Sequence, residues 1–186
     1  RAHWYSSGQN SKPYCYFIND RVKRTITEAF TTPGTLYFVI EADSDTQTGK
    51  HLMLQTGSKI ITTRHPDYPK AFRSYWGTDN ATGNMFNNTQ TTDPIILQIL
   101  AGGASAGGGV DPKLRVNGGA DEGVDAFAGD GEDNTLLGAT AHTAYLFSSF
   151  ATKLYEVIFI PDITHAQDDV FSYLGDKYDI TVTAVS

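Results

Sequence analysis

Residues 155–180 read YEVIFIPDITHAQDDVFSYLGDKYDI. The first part alternates like a strand, and the rest spaces its apolar residues like a helix. Val170, Phe171, Leu174 and Tyr178 fall on one helical face. Thr164 as N-cap with Gln167 three residues on makes a capping box, and Asp168 and Asp169 suit the positive end of the helix dipole. Gly175 is expected to loosen or end the helix. YDITVTAV (178–185) then returns to alternation and reads as a closing strand. The expected role of the helix is a lid, with Phe171 and Leu174 covering a sheet end.

Working backwards, almost nothing else reads as helical. KLYEVIFI (153–160), AYLF (144–147) and TLLGA (135–139) read as strands, and so do IILQILAG (95–102) and TLYFVIE (35–41). The last two are nearly continuous apolar runs, as buried central strands are. PYCYFIN (13–19), HLMLQ (51–55), KIITTR (59–64) and AFRSYW (71–76) add further strands bounded by turn residues. KLRVNGG (113–119) runs into Asn117-Gly118, a pair that tolerates the left-handed backbone of a type I′ hairpin turn. GTDNATGNMFNNTQTTDP (77–94) is a long polar loop, and GGASAGGGVDP (102–112) is glycine-rich. Strands at this spacing predict an all-β, two-sheet antiparallel sandwich with one short C-terminal helix before the last strand.

Composition agrees. Of the 186 residues 19% are charged, below the roughly 25% of an average soluble domain, and ten Tyr and ten Phe favour strands. The formal net charge is −7, so nucleic acid and anionic membranes are not expected partners. No apolar run approaches the ~18 residues of a membrane span, and no signal peptide is read. The first residue is Arg1 rather than Met, which reads as a processed protein, an excised domain or the start of order. Cys15 has no cysteine to bridge to and reads as a small buried hydrophobe on a strand.

KLRVNGG, NTLLGA, TKLYEVIFIPD and ITHAQDDVFSYLGDKYDIT follow in an order that resembles concanavalin A-like, laminin G-type jelly rolls, and the C-terminal third of the chain carries most of the likeness. Leu154-Tyr155-Glu156-Val157-Ile158 occupies the position of the family's Glu-containing strand. Tyr173 to Ile180 occupies that of its helix end, with Asp179 where a Gly is usual. TPGTLYFVIE (32–41) resembles the family's central strand. The resemblance covers about 33–182 and implies a single jelly-roll domain over 1–186. Residues 1–32 are then N-terminal strands of that domain or an assembly arm. The family includes lectins, adhesion modules, glycan-cleaving enzymes and structural domains of viral particles, so fold leaves function open.

Four chemistries can be weighed against the residues. Glycosidases of this fold carry E-x-D-x-x-E on one strand, which sets alternate carboxylates on one face. EADSDT (41–46) supplies Glu41 and Asp43 but Thr46 at the third position, so no catalytic residues are assigned and no enzyme is expected. His65 in RHPDYP reads as a turn residue. Carbohydrate binding needs an aromatic platform beside amides or carboxylates, and Tyr68, Tyr75, Trp76, Asp79, Asn80 and Asn84 are the candidates. Ca²⁺ would take hard oxygens such as Asp125, Asp130, Glu132 and Asn134, a string that reads equally as a solvated acidic loop. No other cofactor is expected. Asn80-Ala-Thr and Asn87-Asn-Thr are glycosylation sequons.

The expectation is a non-enzymatic structural, display or surface-binding domain of a larger extracellular assembly, such as a phage decoration or fibre protein. Its partners would be other structural proteins, copies of itself or surface glycans, at a virion or extracellular surface. A soluble or secreted carbohydrate-binding lectin module is the alternative, ahead of a glycoside hydrolase.

Overall fold

A computed structural model describes residues 2–17, 20–26, 34–42, 53–56, 59–62, 92–101, 113–120, 142–148 and 151–186. Ten strands are seen among them: β1 (His3–Tyr5), β2 (Tyr14–Phe17), β3 (Asp20–Ile26), β4 (Gly34–Ala42), β5 (Met53–Thr56), β6 (Lys59–Thr62), β7 (Ile95–Ala101), β8 (Lys113–Val116), β9 (His142–Ser148) and β10 (Thr152–Ile160). A 3₁₀ turn, Gln9–Ser11, links β1 to β2, and one helix, α1 (Gln167–Tyr178), follows β10. Two antiparallel sheets result, ordered β1-β2-β10-β4-β7-β8 and β3-β9-β5-β6. The all-β class with a single short C-terminal helix is thus the observed one. No helix among the described residues is long and apolar enough to cross a membrane.

The six-stranded sheet is buried on both faces at its centre, which is why β4 and β7 read as continuous apolar runs rather than alternations. Leu36, Phe38, Ile40, Leu97, Ile99 and Leu114 fill one face together with Phe17 and Leu154. Tyr37, Val39 and Ile96 fill the other, where Phe171, Leu174 and Tyr178 of α1 pack on them. The helix therefore covers a sheet face rather than a sheet end. Cys15 packs half-buried on β2 against the Leu154 core, and burial pushes its thiol pKa up.

A β-bulge in β10 decides which side chains meet the helix. Leu154 lies opposite Ile40 and Glu156 opposite Val39, so Tyr155 has no residue across from it. The extra residue turns both Tyr155 and Glu156 to the helix side. Val157 and Phe159 then return to the Leu154 face.

Three details of the C-terminal stretch differ from expectation. The N-cap is Ala166 without a side-chain cap bond, because Gln167 opens the helix and its side chain is drawn inward to Arg115 and Gln98. Thr164 instead bonds the Asp162 carboxylate through both its N–H and its hydroxyl, which holds that carboxyl below the usual range. Gly175 does not end the helix. It lies buried under the returning tail, and the helix continues to Tyr178 with Asp179 as a left-handed C-cap at φ 54°. The position where the resembled family has Gly is therefore one that demands a positive φ.

The closing strand is not formed as a strand. Residues 180–186 have no regular secondary structure apart from one parallel bridge, Gly118 to Thr183, among the described residues. Asn117, Gly118 and Gly119 all have positive φ (55°, 80° and 79°), as the Asn-Gly reading requires for its pair. The curled backbone clasps the tail: Thr183 N–H donates to Asn117 O, and Gly119 N–H donates to Thr183 O. The strand expected at 135–139 lies outside the described residues.

Candidate functional site

Alternation along two short strands builds an aromatic flank. In Tyr14-Cys15-Tyr16-Phe17, Cys15 and Phe17 turn to the Leu154 core, so Tyr14 and Tyr16 turn to the face that α1 shares. Register carries this pattern across four strands. His3 lies opposite Tyr16, Tyr16 opposite Lys153, and Lys153 opposite Glu41, while Tyr5 lies opposite Tyr14. α1 packs on Tyr37, Val39 and Ile96, and these six residues form the face on the β1–β2 side of it. Tyr155 stands at the seam.

The rings on this flank touch in sequence. Tyr5 stacks on Tyr14 with centroids 4.9 Å apart and 11° between planes, and Tyr16 meets Tyr5 edge-on at 6.2 Å. Tyr14 contacts Tyr155 at 5.5 Å, and Tyr155 contacts Tyr178 of α1 at 5.5 Å. Pairs of this kind contribute about 0.5–1.5 kcal/mol each beyond their buried area. Tyr5 remains 44% exposed, so an aromatic surface already fixed by its neighbours faces solvent. Trp4, 69% exposed, projects from the opposite side of β1.

Beside the rings lies an ion pair. Lys153 Nζ binds Glu41 Oε1 and sits 5.7 Å from the Tyr14 ring centroid. The other Glu41 oxygen accepts the Tyr155 hydroxyl at 2.5 Å, and that hydroxyl in turn accepts Gln9 N–H at 3.2 Å. Burial, followed by the bond to Glu41, pushes the Tyr155 pKa well above the ordinary phenol value. Glu41 is the carboxylate of EADSDT among the described residues, and both its oxygens are engaged. Asp43 and Thr46 lie outside the described residues.

The linking turn fixes the seam. Asn10 and Ser11 hold left-handed backbones (φ 48° and 57°), and Asn10 Nδ2 donates to Lys177 O at the end of α1. Gly8 lies so close over Tyr14 and Tyr155 that a Cβ there would stand 2.5 Å from the Tyr14 ring. Across the seam Glu156 accepts Lys177 Nζ at 2.9 Å and the Tyr178 hydroxyl at 3.0 Å. Burial first, then that carboxylate, pushes the Tyr178 pKa up to about 12.

A second polar cluster lies under the start of α1. Gln98 Nε2 donates to the Tyr37 hydroxyl at 2.7 Å, and Arg115 Nη1 donates to Gln98 Oε1 at 3.0 Å and to Gln167 Oε1 at 2.6 Å. Tyr37 and His165 Nε2 stand 2.7 Å apart, and His165 Nδ1 lies 3.1 Å from Asp162 O. The backbone oxygen needs a donor, which assigns the proton to Nδ1 and makes Nε2 the acceptor for Tyr37. Burial pushes the Tyr37 pKa up to about 12. The members of this chain bond one another beneath the start of α1, and the cluster orders the helix on the sheet.

Tyr68, Tyr75, Trp76, Asp79, Asn80 and Asn84 lie outside the described residues, as do Asp125, Asp130, Glu132, Asn134, His65 and the sequon at Asn87. Among the described residues no three His, Cys, Asp or Glu side chains come together as a metal site. The flank at Tyr5, Tyr14 and Tyr16 was not read from the sequence. The signal was Tyr-Cys-Tyr-Phe itself, where aromatic hydroxyls alternate with core residues on a strand.

No protein-family model matches the chain, and no curated protein sequence matches it. Among solved structures, a Trypanosoma rangeli sialidase in complex with sialic acid superposes with a TM-score of 0.51 at 11% identity. The match takes in 91% of this chain and 28% of that one, so the chain spans just over a quarter of the sialidase. The likeness is one of β fold. The carbohydrate recognition domain of Emp46p aligns over 87% of this chain and 83% of its own at 12% identity, with a TM-score of 0.34.

Proposed function

We propose that this chain is a non-catalytic recognition domain that binds carbohydrate through the tyrosine flank. The observation that carries the reading is the exposed Tyr5 ring, stacked on Tyr14 and set beside the Lys153–Glu41 pair. An aromatic face packs against the apolar face of a sugar ring, and fixed donors and acceptors next to it address the hydroxyls. The concanavalin A-like, laminin G-type motif order supports the same reading. In that arrangement the β3-β9-β5-β6 sheet would be the second layer of a sandwich. The fold alone does not select a lectin over a hydrolase, and the flank is what favours binding.

The test is a glycan array probed with the wild-type chain, Tyr5→Ala and Trp76→Ala. Loss of signal in Tyr5→Ala, with Trp76→Ala unchanged, supports the flank. The reverse pattern moves the site to residues 68–84, and an array without any signal removes the lectin reading.

A display or assembly role is the second reading, and Trp4 favours it. A large apolar side chain stands exposed on β1, the outer strand of the six-stranded sheet, where it suits packing against a neighbouring protein. A domain on an extracellular or viral particle would use this side for its partner and the flank for a host surface. Mass measurement at rising concentration tests the self-assembling form of this role. Association lost in Trp4→Ala supports it, and a strict monomer counts against it.

A further inference from the structure

The Lys153–Glu41 pair lies in one cross-strand row with Tyr16 and His3, fixed by register on β10, β4, β2 and β1 rather than on a loop. Its side chains are 26% and 18% exposed, so both reach solvent without being free to swing. We infer that this pair sets the ligand class of the flank: uncharged pyranosides presenting adjacent hydroxyls, with anionic glycans refused. The inference rests on the carbohydrate reading above and adds to it the chemistry that the site selects.

The hydrogen-bonding capacity of the pair carries the argument. Lys153 Nζ spends one donor on Glu41, and the Glu41 carboxylate accepts one bond from Lys153 and one from Tyr155. An ammonium has more donors than that, and a carboxylate has more lone pairs. The pair therefore still presents donors and acceptors side by side. A sugar hydroxyl is donor and acceptor at once, so two neighbouring hydroxyls match this couple, one receiving from Lys153 and the next giving to Glu41. With its pyranose ring against Tyr5 and Tyr16, a ligand would keep those hydroxyls at the ion pair.

Charge gives the exclusion. The ammonium is already neutralised by Glu41, so a sulfate or carboxylate on a glycan would meet a compensated cation and be placed against Glu41. The chain's net charge of −7 opposes a polyanion further. Tyr155 reinforces the arrangement by holding the second Glu41 oxygen, which keeps the carboxylate turned to Lys153.

Selectivity is read by titrating soluble neutral glucan, galactan and mannan, and separately heparin and polysialic acid, into wild type, Lys153→Met, Lys153→Arg and Glu41→Gln. Melting each variant first shows that it is folded. Wild type should bind at least one neutral polymer and neither polyanion. Lys153→Met, which keeps the apolar stem, should weaken neutral binding by about tenfold or more, and Lys153→Arg should retain most of it. Glu41→Gln frees the ammonium, so it should lose neutral affinity and gain heparin binding that salt reverses. Heparin or polysialic acid binding wild type more tightly than the neutral polymers overturns the inference while leaving carbohydrate recognition standing. So does neutral binding lost in Tyr5→Ala but intact in Lys153→Met. Should Lys153→Met fail to fold, Glu41→Gln decides alone, and unchanged selectivity there overturns the inference. Binding to no glycan removes both readings together.

Discussion

Tyr155 and Tyr178 meet ring to ring at 5.5 Å, yet their hydroxyls serve different carboxylates, Glu41 on β4 and Glu156 on β10. The bulge makes this geometry. Without the extra residue Tyr155 and Glu156 would point to opposite faces of the sheet, and flank and helix would not share an aromatic seam.

Tyr155→Phe isolates the seam's polar part. It keeps the ring but removes the donor to Glu41 and the acceptor for Gln9 N–H, so a loss of about 1–3 kcal/mol is expected on denaturant unfolding. An unchanged midpoint would mean that water replaces the hydroxyl at no cost.

Leu174→Ala tests the packing of α1. Leu174 is fully buried against the Tyr37–Val39–Ile96 face, and the truncation should cost about 2–5 kcal/mol. A loss well under 1 kcal/mol would show that the helix face closes over the gap or does not depend on that contact.

Gln167→Ala tests the inward role of a residue first read as a cap. Its amide accepts from both Arg115 and Gln98, so deletion strips an acceptor from a buried guanidinium, at about 1–3 kcal/mol. A capping role would be worth less and would be rescued by Glu; an inward role is not simply restored that way, because Glu cannot donate to Ile163 O as Gln167 Nε2 does. Comparing the Ala and Glu variants by thermal melting separates the two.

Alkaline pH should unfold the protein through its tyrosines. Tyr37 and Tyr178 keep their protons to about pH 12, and Tyr155 is shifted in the same direction. In the unfolded chain the same phenols ionise near pH ~10. Above that value the unfolded state binds fewer protons than the native one, so stability falls as pH rises. The contribution is complete below the unfolded value and gone once the native phenols ionise. Denaturant midpoints followed beside tyrosinate absorbance should fall together; a flat stability profile through that range opposes the assignment.

Gly118→Ala should release the C-terminal tail. A Cβ there would stand 1.9 Å from Thr183 O, and the residue's φ of +80° is itself unfavourable for alanine. A loss of about 1–3 kcal/mol is expected, with faster proteolysis at 180–186. Equal protection of the tail in both proteins would show that the clasp is dispensable.

The parts legible in the sequence are those set by long-range periodicity. Continuous apolar runs gave away β4 and β7 because both faces of the sheet are buried there, and the 170–178 spacing gave away α1. Asn117-Gly118 declared its left-handed backbone through residue type. What stayed hidden depends on partners far along the chain. Gln167 looked like a cap because Arg115 cannot be seen beside it, and the 178–185 alternation looked like a strand because one bridge suffices to hold it. The flank joins His3, Tyr5, Tyr14, Tyr16, Glu41 and Lys153, and only strand register brings those positions together.

The six-stranded order also bears on biosynthesis. β10 is the plank between β2 and β4, although it is made more than a hundred residues after either. Until it emerges from the ribosome, β2 and β4 each lack the neighbour that will pair with one of their sides. A nascent chain thus carries open, apolar strand edges through most of its translation, and early arrest exposes them for good. Expression of N-terminal fragments should therefore yield aggregates rather than a smaller folded unit, and slower synthesis should increase the protein's dependence on chaperones.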